Sequence, residues 1–224
     1  MRNSPPIIGI TGISGSGAST AAAALGELGG LVVSADGLAR EAMRKGEKAH
    51  AKIAEAFGGR MLRADGEIDR KALAALVFGE KGAGPRRALE EIVHPVVLEK
   101  IAAIMGAAGS DCPFAVIDAP LLVESGLSKI CRQVWLVKAP YAARLARITA
   151  RDGIGTEAAM MRLASRQGDG ELERHADRVF VNDGSAQDLK TAAARAYLEM
   201  RDAISQGACR RACAFSGLGY NLME

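Results

Sequence analysis

The sequence predicts an α/β protein: a five-stranded parallel sheet flanked by helices, with a helical insertion and a helical lid. Three observations carry this expectation. A β-branched run, Ile7 to Thr11, leads into a loop bearing Gly12, Gly15 and Gly17, and then into Ala21-Ala22-Ala23-Ala24-Leu25. Four further short apolar runs recur along the chain, separated by stretches of helical period. One such stretch, between the second and third runs, is far longer than an ordinary connection.

The first run is continuously apolar rather than alternating, which suits a strand buried on both faces. The loop after it, Gly12-Ile13-Ser14-Gly15-Ser16-Gly17-Ala18-Ser19-Thr20, reads as a phosphate cradle. Glycines let backbone N–H groups converge on an anion, and the helix opening at Ser19 and Thr20 turns its positive end to the same point. The pattern G-x-x-x-x-G-K-[ST] is met at Gly12, Gly17 and the metal-ligand hydroxyl Ser19. Its lysine is replaced by Ala18. Backbone donors still hold an anion without that lysine, but charge developing in phosphoryl transfer loses a neutralising partner.

Leu31 to Ala35 is the second strand, closed by Asp36. An acid at the carboxyl end of a parallel strand lies where ligands bind in open sheets, and it also caps a following helix well. Glu47 to Phe57 is expected to be helical and to stop at Gly58-Gly59. Asp65-Gly66 is a turn, and Asp69 caps a helix bearing Leu73, Leu76, Val77 and Phe78. Gly82-Ala83-Gly84-Pro85 reads as a break. A helix from about Arg86 to Met105 follows, interrupted at His94-Pro95, where a proline kinks or ends it.

Phe114 to Asp118 is the third strand. Its terminal Asp118 suits a magnesium-side carboxylate, or else a simple cap. Gln133 to Val137 is the fourth strand. A helix from Tyr141 to Arg151 then places Arg144, Arg147 and Arg151 on one face, and Thr156 to Gln167 adds Arg162 and Arg166. These two helices read as a hairpin that covers a site and excludes water. Arg178 to Asn182 is the fifth strand, and a last helix runs from about Ser185 to Ile204. The tail from Gln206 to Glu224 shows no period.

With 224 residues the chain is long enough for one large core. A net charge of +3 is too mild to indicate DNA or RNA. Cys112, Cys131, Cys209 and Cys213 form no zinc pattern and read as reduced thiols. The apolar run near the start is too short and glycine-broken for a signal peptide or membrane span, so a cytoplasmic protein is expected.

Taken together, these motifs resemble the dephospho-coenzyme A kinase family from about Ile7 to the final helix. The glycine loop matches except at Ala18. Ser34-Ala35-Asp36-Gly37-Leu38-Ala39-Arg40 is similar to the family's D-A-D-x-x-A-R, with Ser34 in place of the first acid. Asp65-Gly66-Glu67-Ile68-Asp69-Arg70, His94-Pro95, Pro120-Leu121-Leu122-Val123-Glu124, Arg147 to Asp152 with Gln167, and Ala176 to Gly184 follow in the family's order.

The resemblance implies a P-loop kinase fold that uses ATP and Mg²⁺ to phosphorylate the ribose 3′-hydroxyl of dephospho-CoA, the last step of coenzyme A synthesis. It implies Asp36 as general base and Arg147 and Arg151 as catalytic cations. Asp36, Arg40, His94, Leu121 and Glu124 would bind the acceptor, with His94 equally open to simple packing. Gly12, Gly15, Ser16, Gly17, Ala18, Ser19, Thr20 and Asn182 would bind the nucleotide, and Ser19 and Asp118 the metal. Residues 7–40, 113–140 and 176–205 would form the nucleotide core, 41–112 the acceptor domain, 141–175 the lid and 206–224 the tail. A monomer or weak homo-oligomer without nucleic acid or membrane is expected. Ala18 leaves three readings open: a kinase with another cation in the lysine's role (Arg147, Arg151 or Arg40), a binding protein for CoA or nucleotide, or a kinase for another small acceptor.

Overall fold

The computed structural model describes residues 5–78, 83–108, 112–164 and 169–206. The chain forms two compact units, Met1–Val33 with Ala108–Glu224, and Ser34–Ala107.

The first unit is built on five strands: β1 (Ile7–Thr11), β2 (Leu31–Ser34), β3 (Ala115–Asp118), β4 (Gln133–Lys138) and β5 (Arg178–Val181). They lie in the order β2-β3-β1-β4-β5 as a parallel sheet, with Ile8 beside Val116 on one side and Gln133 on the other. The strand carrying the glycine loop is thus central. The order reverses about it, which opens a crevice at its carboxyl end. All five residues of β1 are buried, as its unbroken apolar run requires.

Alternate residues supply the two faces. Ile8, Ile10, Val116, Trp135, Val137 and Phe180 pack against α1 (Ala18–Glu27) and α9 (Ala186–Ser205). Leu136, with Ile13 of the loop, packs against Ile148, Ala159 and Leu163. These last residues come from α6 (Tyr141–Asp152) and α7 (Thr156–Ala164). Ser185 caps α9 through a capping box with Asp188. A short helix, α8 (Asp169–Glu173), precedes β5, and its Glu173 pairs with Lys138. That helix has too few apolar residues to show a period in the sequence.

The second unit packs α2 (Ala35–Ala42), α3 (Lys48–Phe57) and α4 (Arg70–Phe78) around α5 (Ala83–Ala107). Ala42, Ala49, Ile53, Ile68, Leu73, Val77 and Val96 fill its core. Lys100 of α5 bridges Glu41 at 2.7 Å and Glu47 at 3.0 Å, and Lys48 meets Glu99 at 2.7 Å.

Several expectations are corrected here. Ser34, and not Asp36, caps α2: its hydroxyl accepts from the Gly37 N–H at 3.1 Å, so β2 ends at Ser34 and Asp36 lies in the first turn. Gly84 and Pro85 do not break the chain. They lie in the first turn of α5, where a missing N–H costs no helical hydrogen bond. Nor does Pro95 end that helix, which continues to Ala107. Arg166, Gln167, Cys209, Cys213 and the rest of the tail from residue 207 lie outside the described residues. Among the described residues no helix is long and apolar enough to cross a membrane.

Candidate active site

The glycine loop is shaped by its neighbours. Gly17 has φ +103°, and a Cβ there would lie 2.4 Å from the Asn182 amide nitrogen and 3.0 Å from Leu189. Gly15 has φ +80°, and a Cβ there would lie 2.8 Å from the Arg144 carbonyl oxygen. Both positions therefore need glycine on conformation and on space. The Ser16 N–H closes a turn onto Ile13 O at 2.9 Å, and α1 starts at Ala18 with no side-chain cap. Thr20 N–H turns back onto Gly17 O at 2.9 Å, so the N–H groups of Ala18 and Ser19 are the ones left to a ligand. Ser16 is 1 % exposed, and its buried Oγ has no hydrogen-bond partner. An orphaned hydroxyl in a glycine cradle fits an anionic oxygen, which would accept a hydrogen bond from it.

Asn182 and Arg147 hold the loop from behind. The Asn182 amide donates to Ser16 O at 2.7 Å. The Arg147 guanidinium donates to Gly15 O at 3.2 Å, to Ser16 O at 3.5 Å, and to Asn182 O and Oδ1 at 3.3 and 3.4 Å. Both residues are singled out by sequence as ligand contacts; in this structure their polar atoms are turned on the loop's backbone. Arg151 instead forks onto Asp152, at 2.7 and 3.0 Å, and Arg162 of α7 meets the same carboxylate. Those hydrogen bonds, from Arg151 first, hold the Asp152 carboxyl below its ordinary value and raise that of Arg151. The expected single basic face of α6 is therefore divided. Arg144 and Arg147 are half-buried, and Arg151 is exposed.

On the metal side, Ser19 lies exposed in the first turn of α1, and Asp118 ends β3 half-buried. Among the described residues no three His, Cys, Asp or Glu side chains converge. One hydroxyl and one carboxylate suit Mg²⁺, which keeps waters and binds substrate phosphates rather than sitting in an all-protein cage. Leu121 is half-buried and Glu124 exposed, both in the turn after β3.

In the second unit, Asp36 and Arg40 are exposed on α2, and the Arg40 side chain donates to the Asp36 carbonyl at 3.2 Å. Arg70 in turn donates to Arg40 O at 3.1 Å. His94 is half-buried within α5. The Asp65–Arg70 motif is a small hairpin: Arg63 N–H meets Glu67 O at 2.8 Å, and Asp69 Oδ1 accepts from Lys71 and Ala72 at the start of α4. His50, with no signal in the sequence beyond its polarity, places Nε2 2.8 Å from Gly66 O at that turn. Only the dipeptide turn itself marks where such a partner is needed.

A parallel sheet with a glycine loop on its central strand, an acid on the next strand and an arginine-bearing helical hairpin defines a P-loop kinase. The family model described as "Dephospho-CoA kinase" matches residues 6–188. The chain is 42 % identical over 198 residues to the dephospho-CoA kinase of Anaeromyxobacter dehalogenans, covering 87 % of this chain and 92 % of that one. It is similar to a solved Thermus thermophilus structure, with a TM-score of 0.74 and 34 % identity, over 88 % of this chain and 98 % of the other. A dephospho-CoA kinase structure from Campylobacter jejuni matches with a TM-score of 0.55 and 26 % identity, over 88 % and 97 %. The chain belongs to the dephospho-CoA kinase family.

Proposed function

We propose that this chain transfers the γ-phosphoryl group of ATP to the ribose 3′-hydroxyl of dephospho-CoA, the last step of coenzyme A synthesis. The observation that carries it is the family match from residue 6 to 188, which spans the loop, the insertion and Asn182.

The loop from Gly12 to Thr20 holds the ATP phosphates through backbone N–H groups, the Ser16 hydroxyl and the opening of α1. Ser19 and Asp118 hold Mg²⁺, which when bound offsets charge on the phosphate oxygens. Asp36 takes the proton of the attacking hydroxyl, and Arg40, His94, Leu121 and Glu124 orient the acceptor. Arg147 with Asn182 keeps the loop in shape, and Arg151 holds the cover together through Asp152. The unit from Ser34 to Ala107 takes the acceptor role, and α6 to α8 act as the cover. Positioning and charge offset are the main contributions a protein makes to this chemistry.

The test is formation of ADP and 3′-phosphorylated product from MgATP and dephospho-CoA. Asp36→Asn is expected to lower transfer by about 10²–10⁴-fold, the usual worth of a general base, while ATP affinity is unchanged. Ala18 favours one second reading, a binding protein for the same ligands. ATP and dephospho-CoA binding with no product would establish that reading instead.

A further inference from the structure

We infer that Arg144 supplies the positive charge that the glycine loop lacks at Ala18, meeting the phosphates of a bound nucleoside triphosphate. The inference rests on the kinase reading above. A loop that binds an oligophosphate with no lysine needs a cation from elsewhere, and α6 offers three.

Two of them are already engaged. Arg147 gives its guanidinium to three backbone carbonyls and one side-chain oxygen of the loop and Asn182. Arg151 is forked onto both oxygens of Asp152. Arg144 differs. Its Nε is buried and has no hydrogen-bond partner. Among the described residues its guanidinium makes no hydrogen bond or ion pair, and its Cζ lies 6.0 Å from the centroid of the Tyr141 ring, at the outer limit of a cation–π contact.

Arg144 also stands against the loop. A Cβ on Gly15 would lie 3.0 Å from the Arg144 Cα and 3.2 Å from its Cβ, so its side chain leaves the backbone at the loop's tip. The glycine at position 15 is what allows the helix to come this close. A buried N–H donor without an acceptor is costly, and an anionic oxygen removes that cost. Ser16 Oγ, buried and likewise without a partner, makes the same demand from within the loop. A guanidinium keeps its charge at every accessible pH and matches the fork of a phosphate, so it serves in the lysine's place. The exposed Tyr141 ring then acts as a parking place for the guanidinium before nucleotide arrives.

The experiment is a cycle of variants. Arg144→Gln and Arg144→Met, which keeps the apolar stem, are made in the native chain and in Ala18→Lys. MgATP and AMP affinities are measured by calorimetry and phosphoryl transfer by product formation, with melting temperature as the folding control. Arg144→Gln is expected to weaken MgATP binding about tenfold or more while AMP affinity holds within about twofold, as loss of a charged hydrogen bond to the terminal phosphates requires. Ala18→Lys is expected to restore MgATP affinity to both Arg144 variants.

Native MgATP affinity in the Arg144 variants, an equal loss for MgATP and AMP, or a loss that Lys at position 18 does not repair would each overturn the inference. An arginine with a merely structural role gives one of the last two results. Absence of product from the native chain would overturn the kinase reading alone, because the MgATP-against-AMP comparison still decides the role of Arg144.

Discussion

Asn182 serves the loop twice: its amide nitrogen holds the Ser16 carbonyl, and its two oxygens receive Arg147. It is 6 % exposed, so the bond to Ser16 is sheltered from water. Asn182→Leu is expected to cost about 1–3 kcal/mol, the range for leaving a buried partner unsatisfied, and to raise the KM for ATP more than it lowers kcat. Chemical denaturation and steady-state kinetics check the two halves; an unchanged KM would remove Asn182 from the loop's support. Part of this was legible in the sequence. The spacing of Gly12, Gly15 and Gly17 locates the cradle, whereas Asn182 enters only through the family resemblance, as a nucleotide-binding residue rather than as a support of the loop. That Arg147 faces the loop's carbonyls was not legible, because a helical wheel places arginines on a face without saying which acceptors the fold brings to it.

Among the elements, α9 begins with Ser185 and Asp188 in a reciprocal cap and buries Leu189, Ala193, Ala196, Tyr197 and Met200. Ser185→Ala is expected to lower stability by about 1 kcal/mol, read as a shift in the denaturant midpoint with an unchanged slope. The hairpin of α6 and α7 is joined by Asp152, which receives Arg151 and Arg162. Its folded pKa lies below the ordinary value of 3.8, so its contribution is complete above that value and is lost as pH falls through the folded value. Asp152→Asn is expected to reduce the acid-side fall in melting temperature and to lower stability at neutral pH. The five strands were readable to within a residue or two, because buried parallel strands are dense in β-branched residues. The exact ends were not: Ser34 takes the cap that Asp36 also suits, and only the backbone geometry at β2 decides between two good capping residues.

At the scale of the molecule, the two units carry separate apolar cores, one on the faces of the sheet and one around α5. The single tryptophan, Trp135, belongs to the first: it is fully buried on β4, with its ring 5.3 Å from Phe180. Its emission is expected to be blue-shifted when folded and to report loss of the sheet, whereas far-ultraviolet dichroism reads helices of both units. Coincident midpoints by the two probes would make the chain a single cooperative system; a dichroism loss ahead of the tryptophan shift would show the helical unit melting first.

The unbroken helix through Pro95 has a consequence of its own. Proline has no amide hydrogen, so the Glu91 carbonyl, four residues earlier, lacks the rung that an ordinary residue would supply. The longest rod of the second unit therefore has one missing link near its middle, one residue beyond His94. Thermal agitation opens a ladder where it is thinnest, so amides bordering that gap should exchange with solvent sooner than those at Ile101 or Met105. The helix would breathe beside the histidine, while its C-terminal turns stay held by buried Ile101 and Met105.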